Sequence, residues 1–166
     1  WIMTGGPHTG WGTLLPWAAL AFAPPAAVGG CAPTTKVATA MANGVVVRSE
    51  TGLVMLDLNG DDDERTGWDI LYLHVATTGR ASAGRTLKVG DPVGYPSCEG
   101  GTATGTHIHI ALKYNGEWIP ADGNIPFNLD GWVSSGNGSY YDGFLTRGTT
   151  VLTADESVTV GLNQIS

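Results

Sequence analysis

Charge is scarce in this chain of 166 residues. Only 14% are Asp, Glu, Lys or Arg, and the basic side is thinnest, with 8 Lys and Arg against 15 Asp and Glu. The net charge of −7 leaves no basic stripe, so nucleic acid is excluded as an expected partner. No apolar run is long enough to span a bilayer. The stretch from Leu14 to Ala27 is interrupted by Pro16, Pro24 and Pro25, so no membrane association is expected. No helix signal runs beyond about two turns, and no internal repeat is found. Cysteine is limited to Cys31 and Cys98. In an exported chain these allow one disulfide, and in a cytosolic one they would be two buried thiols. The first residue is Trp1 rather than Met, as in a mature or trimmed form, and a removed secretory leader would leave no trace.

Glycine and turn chemistry are plentiful. There are 25 Gly and 9 Pro, with six Trp and many Val, Ile and Leu to build a core. This composition excludes disorder and predicts one all-β domain over 1–166. Residues 17–22 are apolar but bracketed by prolines, which predicts a strand or extended segment. Asn43-Gly44 marks a turn before a β-branched run at 45–48. Glu50-Thr51-Gly52 joins it as a hairpin to a strand at 53–58, and an acidic loop follows at 59–64. In 70–75, alternation directs Leu71, Leu73 and Val75 one way and Tyr72 and His74 the other. Gly90-Asp91 precedes a short strand through Val93. Residues 98–106 form a small-residue loop before a strand at 107–114 whose core face is Ile108, Ile110 and Leu112. Glu117 to Ile119 returns as a paired strand. From about 120 to 166 the chain reads as a loop-rich C-terminal extension packed on the same domain, with strand-like alternation from Thr149 to Ile165.

All four histidines sit in informative places. His107 and His109 are two apart on a strand pattern, and a period of two puts both imidazoles on one face. Gly100, Gly101 and Gly105 precede them and keep that face open. His74 projects from the polar face of its strand, and His8 lies in a glycine-flanked loop. A catalytic zinc uses three protein ligands and a water. Pattern alone leaves a metal site and four structural histidines both open.

Four blocks in order resemble lysostaphin-type zinc metallopeptidases. Val89-Gly90-Asp91-Pro92-Val93-Gly94, Gly100-Gly101 and Thr104 through Ile110 resemble that family's C-terminal signature. Leu71-Tyr72-Leu73-His74 is similar to its second histidine motif. Gly5-Gly6-Pro7-His8 followed by Trp17-Ala18-Ala19-Leu20 resembles the first metal motif of the β-lytic branch. The resemblance covers about Trp1 to Trp118 and implies a twisted antiparallel β-sandwich, of the duplicated hybrid motif type, with long loops walling a groove. It implies Zn2+ held by His8 and His109, His74 and His107 as the catalytic pair, and hydrolysis of peptide bonds in bacterial peptidoglycan. It also implies a monomer that is secreted or held in the bacterial cell envelope. Tyr72 and Tyr114 are candidates to bind substrate.

One residue departs from the pattern. The family has an aspartate ligand where this chain has Ala21, and an alanine offers no lone pair. Two readings follow. Either the chain is a zinc endopeptidase inactivated or impaired at one ligand, or it is a natural non-catalytic relative that binds cell wall or regulates a partner. Three further features carry less. Residues 57–63 alternate oxygen-bearing side chains like a calcium loop but lack the Gly that follows the third ligand, which favours a solvated hairpin loop. Asn137-Gly138-Ser139 fits a glycosylation pattern that a bacterial wall enzyme would seldom use. Trp11, Trp68, Trp118 and Trp132 could line a groove or pack in the body.

Overall fold

The computed structural model describes residues 1–12, 15–157 and 163–165. Among them are fourteen β-strands and no helix. The strands are β1 (Ile2–His8), β2 (Ala19–Ala23), β3 (Ala38–Thr39), β4 (Gly44–Glu50), β5 (Gly52–Asp57), β6 (Trp68–Val75) and β7 (Thr86–Leu87). They continue as β8 (Pro92–Gly94), β9 (Ile108–Tyr114), β10 (Glu117–Trp118), β11 (Asn128–Leu129), β12 (Trp132–Ser135), β13 (Phe144–Arg147) and β14 (Thr150–Thr153). The main sheet runs β1-β2-β9-β6-β5-β4-β7, with β10 also paired to β9. A four-stranded sheet, β11-β12-β13-β14, and the small β3-β8 pair complete the structure. Every pairing is antiparallel, as expected of the all-β sandwich.

Alternation assigns the main sheet two faces with different chemistry. On one face Leu20, Phe22, Val54, Leu56, Ile70, Tyr72, Ile108 and Ile110 enter a single buried cluster. That cluster also holds Phe127, Trp132, Leu145 and Leu152 from the C-terminal sheet and Val93 from β8. The opposite face is built in cross-strand rows. Ala21, His109 and Leu73 are partners in one row, and Ala19, Ala111, Leu71 and Met55 form the next. Trp118, Lys113, Asp69 and Asp57 form the third. The middle row is apolar and buried with Leu53, Leu73 and Ala18, so it separates two polar ends of one face.

Several expectations need correction. His8 is the last residue of β1, not part of a loop. The alternation in β6 breaks at His74, whose φ is +63°. Val75 joins the cluster containing Tyr72, while Leu71 and Leu73 lie in the other. The chain beyond 120 is rich in loop, but it also carries strands that were not expected. These belong to the four-stranded sheet, whose strands of two to four residues are too short for a clear period. The alternation expected over 149–165 is met by β14, and residues 158–162 lie outside the described ones.

Candidate metal centre and catalytic cleft

A cavity of about 770 Å³ opens on the row that holds His109, and His8, His74 and His107 line it as well. The four arrive on three pieces of chain. β1 delivers His8, and β9 and its entry deliver His107 and His109. The left-handed backbone at His74 rotates that side chain off the core face of β6. Its ring lies 4.4 Å from that of His107 and 6.1 Å from that of His109. A non-Gly residue at positive φ is uncommon, and such strain clusters at functional sites.

All four rings are held by backbone carbonyls. His8 Nδ1 bonds Gly6 O at 2.6 Å, His109 Nε2 bonds Gly10 O at 2.6 Å, His74 Nδ1 bonds Glu99 O at 2.9 Å and His107 Nδ1 bonds Gly105 O at 2.8 Å. A carbonyl can only accept, so each bonded nitrogen carries the ring proton and the other presents a lone pair. Carbonyl anchoring of the distal nitrogen is the usual support of metal-binding imidazoles. The outcome differs between rings: His8, His74 and His107 present Nε2, whereas His109 presents Nδ1.

His8 Nε2 and His109 Nδ1 face each other at 3.0 Å. With both outer nitrogens protonated, two lone pairs meet, an arrangement that calls for a shared proton or a cation. Two nitrogens on one tetrahedral zinc, at about 2.0–2.1 Å each, stand about 3.3 Å apart. The pair therefore fits two positions of a zinc shell after a small opening. The third position does not supply a donor. Ala21 lies directly beside His109 in the β2–β9 register and opposite Gly5 in β1, and it lines the cavity. Among the described residues no three His, Cys, Asp or Glu side chains form a ready metal cluster.

Burial dominates the electrostatics. It lowers His8 and His74 to about 4, with the other imidazoles adding to the shift and the carbonyl bonds opposing it. Burial also holds His107 below, and His109 well below, the ordinary imidazole value. All four are thus neutral at pH 7, the state a metal needs. His107 Nε2 is buried with no hydrogen-bond partner and lines the cavity.

The cleft walls come from far apart in sequence. The Cys31–Cys98 disulfide, with a Cα–Cα distance of 5.7 Å, ties the 30–32 segment to the 97–106 loop. Thr106 adds bonds from N to Gly30 O at 2.9 Å and from Oγ1 to Ala32 O at 2.5 Å. Trp11 lines the cavity. Tyr140 and Tyr141 form a wall that sequence reasoning missed. Tyr141 stacks on His8 with ring centroids 4.1 Å apart and planes at 26°. Its carbonyl accepts Gly6 N at 2.7 Å, an approach that a Cβ at Gly6 would block, since it would meet the Asp142 backbone at 2.4 Å. The signal available was a Tyr pair inside a Ser-, Asn- and Gly-rich stretch.

The two tyrosines expected at the site are elsewhere. Tyr72 is buried on the core face, and its hydroxyl accepts Met41 N at 2.8 Å. Tyr114 lies beyond the third row at the far end of β9, packed on Trp68 with centroids 4.8 Å apart. Neither lines the cavity.

No family model matches the chain, and no curated protein matches it. Among solved structures, one described as a novel M23 metalloprotease, pseudoalterin, from the deep sea superposes with a TM-score of 0.71 at 23% identity. The match covers 92% of this chain and 88% of that one. This chain therefore has the fold of an M23 metalloprotease.

Proposed function

We propose that this protein is a lysostaphin-type zinc endopeptidase of the bacterial cell envelope or its surroundings, acting on the peptide part of peptidoglycan and impaired at one metal ligand. The observation that carries the reading is the His8 Nε2 to His109 Nδ1 pair at 3.0 Å, each ring fixed by a carbonyl on its far side. The fold shared with an M23 metalloprotease supports it. The disulfide suits an oxidising compartment.

His8 and His109 would hold the zinc. When bound, it would polarise the scissile carbonyl and lower the pKa of a coordinated water. The chain's own residues supply proton handling. His74 and His107 both present an Nε2 lone pair, so either can accept a proton from water. Only after that uptake does the pair offer an N–H, and that proton can then stabilise the oxyanion or reach the leaving amine. Tyr140 and Thr102 line the same cavity, where they would face a bound peptide.

Ala21 leaves two nitrogen ligands where catalytic zinc sites use three protein ligands. Ala21→Asp should raise zinc content to about one per chain and switch on lysis of bacterial walls, read by metal analysis and by turbidity. If the restored protein holds zinc yet cuts neither wall peptides nor glycine-rich peptides, the enzyme reading fails and a wall-binding role takes its place.

A further inference from the structure

The third row of the histidine-bearing face carries a second chemistry. Asp57 and Asp69 are direct partners across β5 and β6, so their side chains leave the same face side by side, with Cβ atoms about 5 Å apart. Both residues are 0% exposed. Like charges directly opposite are destabilising, and a buried carboxylate without partners is costly.

Asp57 is well partnered. Its Oδ1 accepts Asn59 N at 3.0 Å and its Oδ2 accepts Asp62 N at 3.1 Å. Both carboxylate oxygens of Asp69, by contrast, are buried with no hydrogen-bond partner. The cation next to it makes no hydrogen bond to it. Lys113 is its partner across β6 and β9, but that ammonium donates to Glu64 O at 3.2 Å and Glu64 Oε2 at 3.1 Å. Burial raises Asp69 to about 7, with Asp57, Glu64 and Asp61 adding to the shift and Lys113 opposing it. Asp69 thus leaves two buried carboxylate oxygens without a partner beside Asp57.

The segment above this row is rich in oxygen. Asn59 Nδ2 donates to Asp61 Oδ2 at 2.9 Å, and Asp61 Oδ1 accepts Asp63 N at 3.0 Å. Asp63 is fully engaged by Arg65, at 2.7 Å for each of two bonds. The sequence lacks glycine after the third alternating oxygen, which argued for a solvated loop. Asp62 nevertheless adopts φ +63° at that position, so the turn that glycine usually provides is present. No His, Cys or Met belongs to this group, and an all-oxygen donor set selects a hard cation.

We propose that Asp57 and Asp69, with the Asn59 amide oxygen and backbone or water oxygens of the 57–67 loop, form a calcium site at the end of the sheet opposite the histidine cleft. Calcium takes six to eight oxygens, including amide, carbonyl and water oxygens, so two buried carboxylates can anchor it without a third converging. It would tie the 57–67 loop to β6 and fix Glu64 and Arg65. These two line a further cavity of about 590 Å³ with Trp11 and Trp118. The inference does not rest on the peptidase reading.

The full-length chain, freed of metal by chelation, would be titrated with CaCl2 by calorimetry and its melting temperature followed. One calcium per chain is expected, with a rise in Tm of about 5–10 °C at a hundredfold excess over Kd. Asp69→Asn should bind no calcium. It should melt at or above the calcium-free parent, because the unpaired charge is gone, whereas Glu50→Gln on the far end of β4 should respond fully. ZnCl2 serves as the contrast: its effect should be lost in His8→Ala and kept in Asp69→Asn. No binding by the parent at about 10 mM calcium, far above the range of calcium modules, overturns the proposal and leaves Asp69 holding a proton. Full calcium response in Asp69→Asn overturns it as well.

Discussion

At the scale of single residues, the site is defined by which nitrogen each imidazole presents. Gly6 O and Gly10 O take opposite ring atoms, Nδ1 of His8 and Nε2 of His109, and this turns the two remaining lone pairs toward one point. Tyr141 reinforces His8 from one side. Its ring removes water from that imidazole, and burial is the chief cause of the low His8 pKa. Tyr141→Ala should therefore let the His8 pKa climb from about 4 toward 6.5, as followed by NMR titration of the ring. The same change should cost about 1–2 kcal/mol of stability through the lost stack and packing. Histidine patterning identified these four residues from sequence, because a period of two and glycine neighbours are visible there. Tyr141 was not legible, since nothing local says that residue 141 meets residue 8.

At the scale of elements, two irregularities set up the cleft. One is the left-handed backbone at His74 that ends the alternation of β6. The other is the 97–106 loop, where His74 O accepts both Ser97 N at 2.7 Å and Ser97 Oγ at 3.0 Å, while Glu99 O holds the His74 ring. The disulfide ties this loop to a segment 67 residues away in sequence. Replacing both cysteines by Ser should lower stability by about 2–5 kcal/mol in denaturant unfolding. It should also loosen the chain at Thr106 and His107, seen as faster amide hydrogen exchange there than in β5. Strand positions and the 50–52 hairpin were readable from turn residues and β-branched runs. The His74 bulge was not, because a regular period of two places Val75 with Leu73, and only the packed sheet shows that Val75 belongs with Tyr72.

At the scale of the whole molecule, one face of one sheet carries a nitrogen-rich end and a carboxylate-rich end, with an apolar row between them. The buried groups at both ends make stability depend on pH in opposite senses. Unfolded imidazoles titrate near about 6.5, whereas folded His8 and His74 stay neutral to about 4. The unfolded chain therefore binds more protons in that window, and the histidine contribution is complete above about 6.5 and lost as pH falls toward 4. Asp69 works against this. Its folded pKa is raised to about 7, so the folded chain binds the extra proton between about 4 and 7. For the metal-free protein, Tm should fall as pH is lowered from 6.5 to 4, and it should fall more steeply in Asp69→Asn. A parent and variant with parallel profiles would contradict the assignment of that proton to Asp69.

Sequence by itself determined the all-β class, the main strands, the disulfide candidates, the four histidines and the identity of Ala21. These are local properties: alternation, turn chemistry, residue type and spacing are written along the chain. Tertiary structure decided the rest. It placed Tyr72 in the core and Tyr114 at the far end, and it turned the C-terminal stretch into a sheet that brings Tyr141 to His8. It set Asp69 beside Asp57 with no partner for either of its oxygens. The physical reason is the same in each case. Ring tautomers, stacking and the satisfaction of a buried charge depend on atoms brought together from distant strands. Ala21 joins the two levels: its identity is a fact of sequence, but its place beside His109 and opposite Gly5 comes from the pairing of three strands.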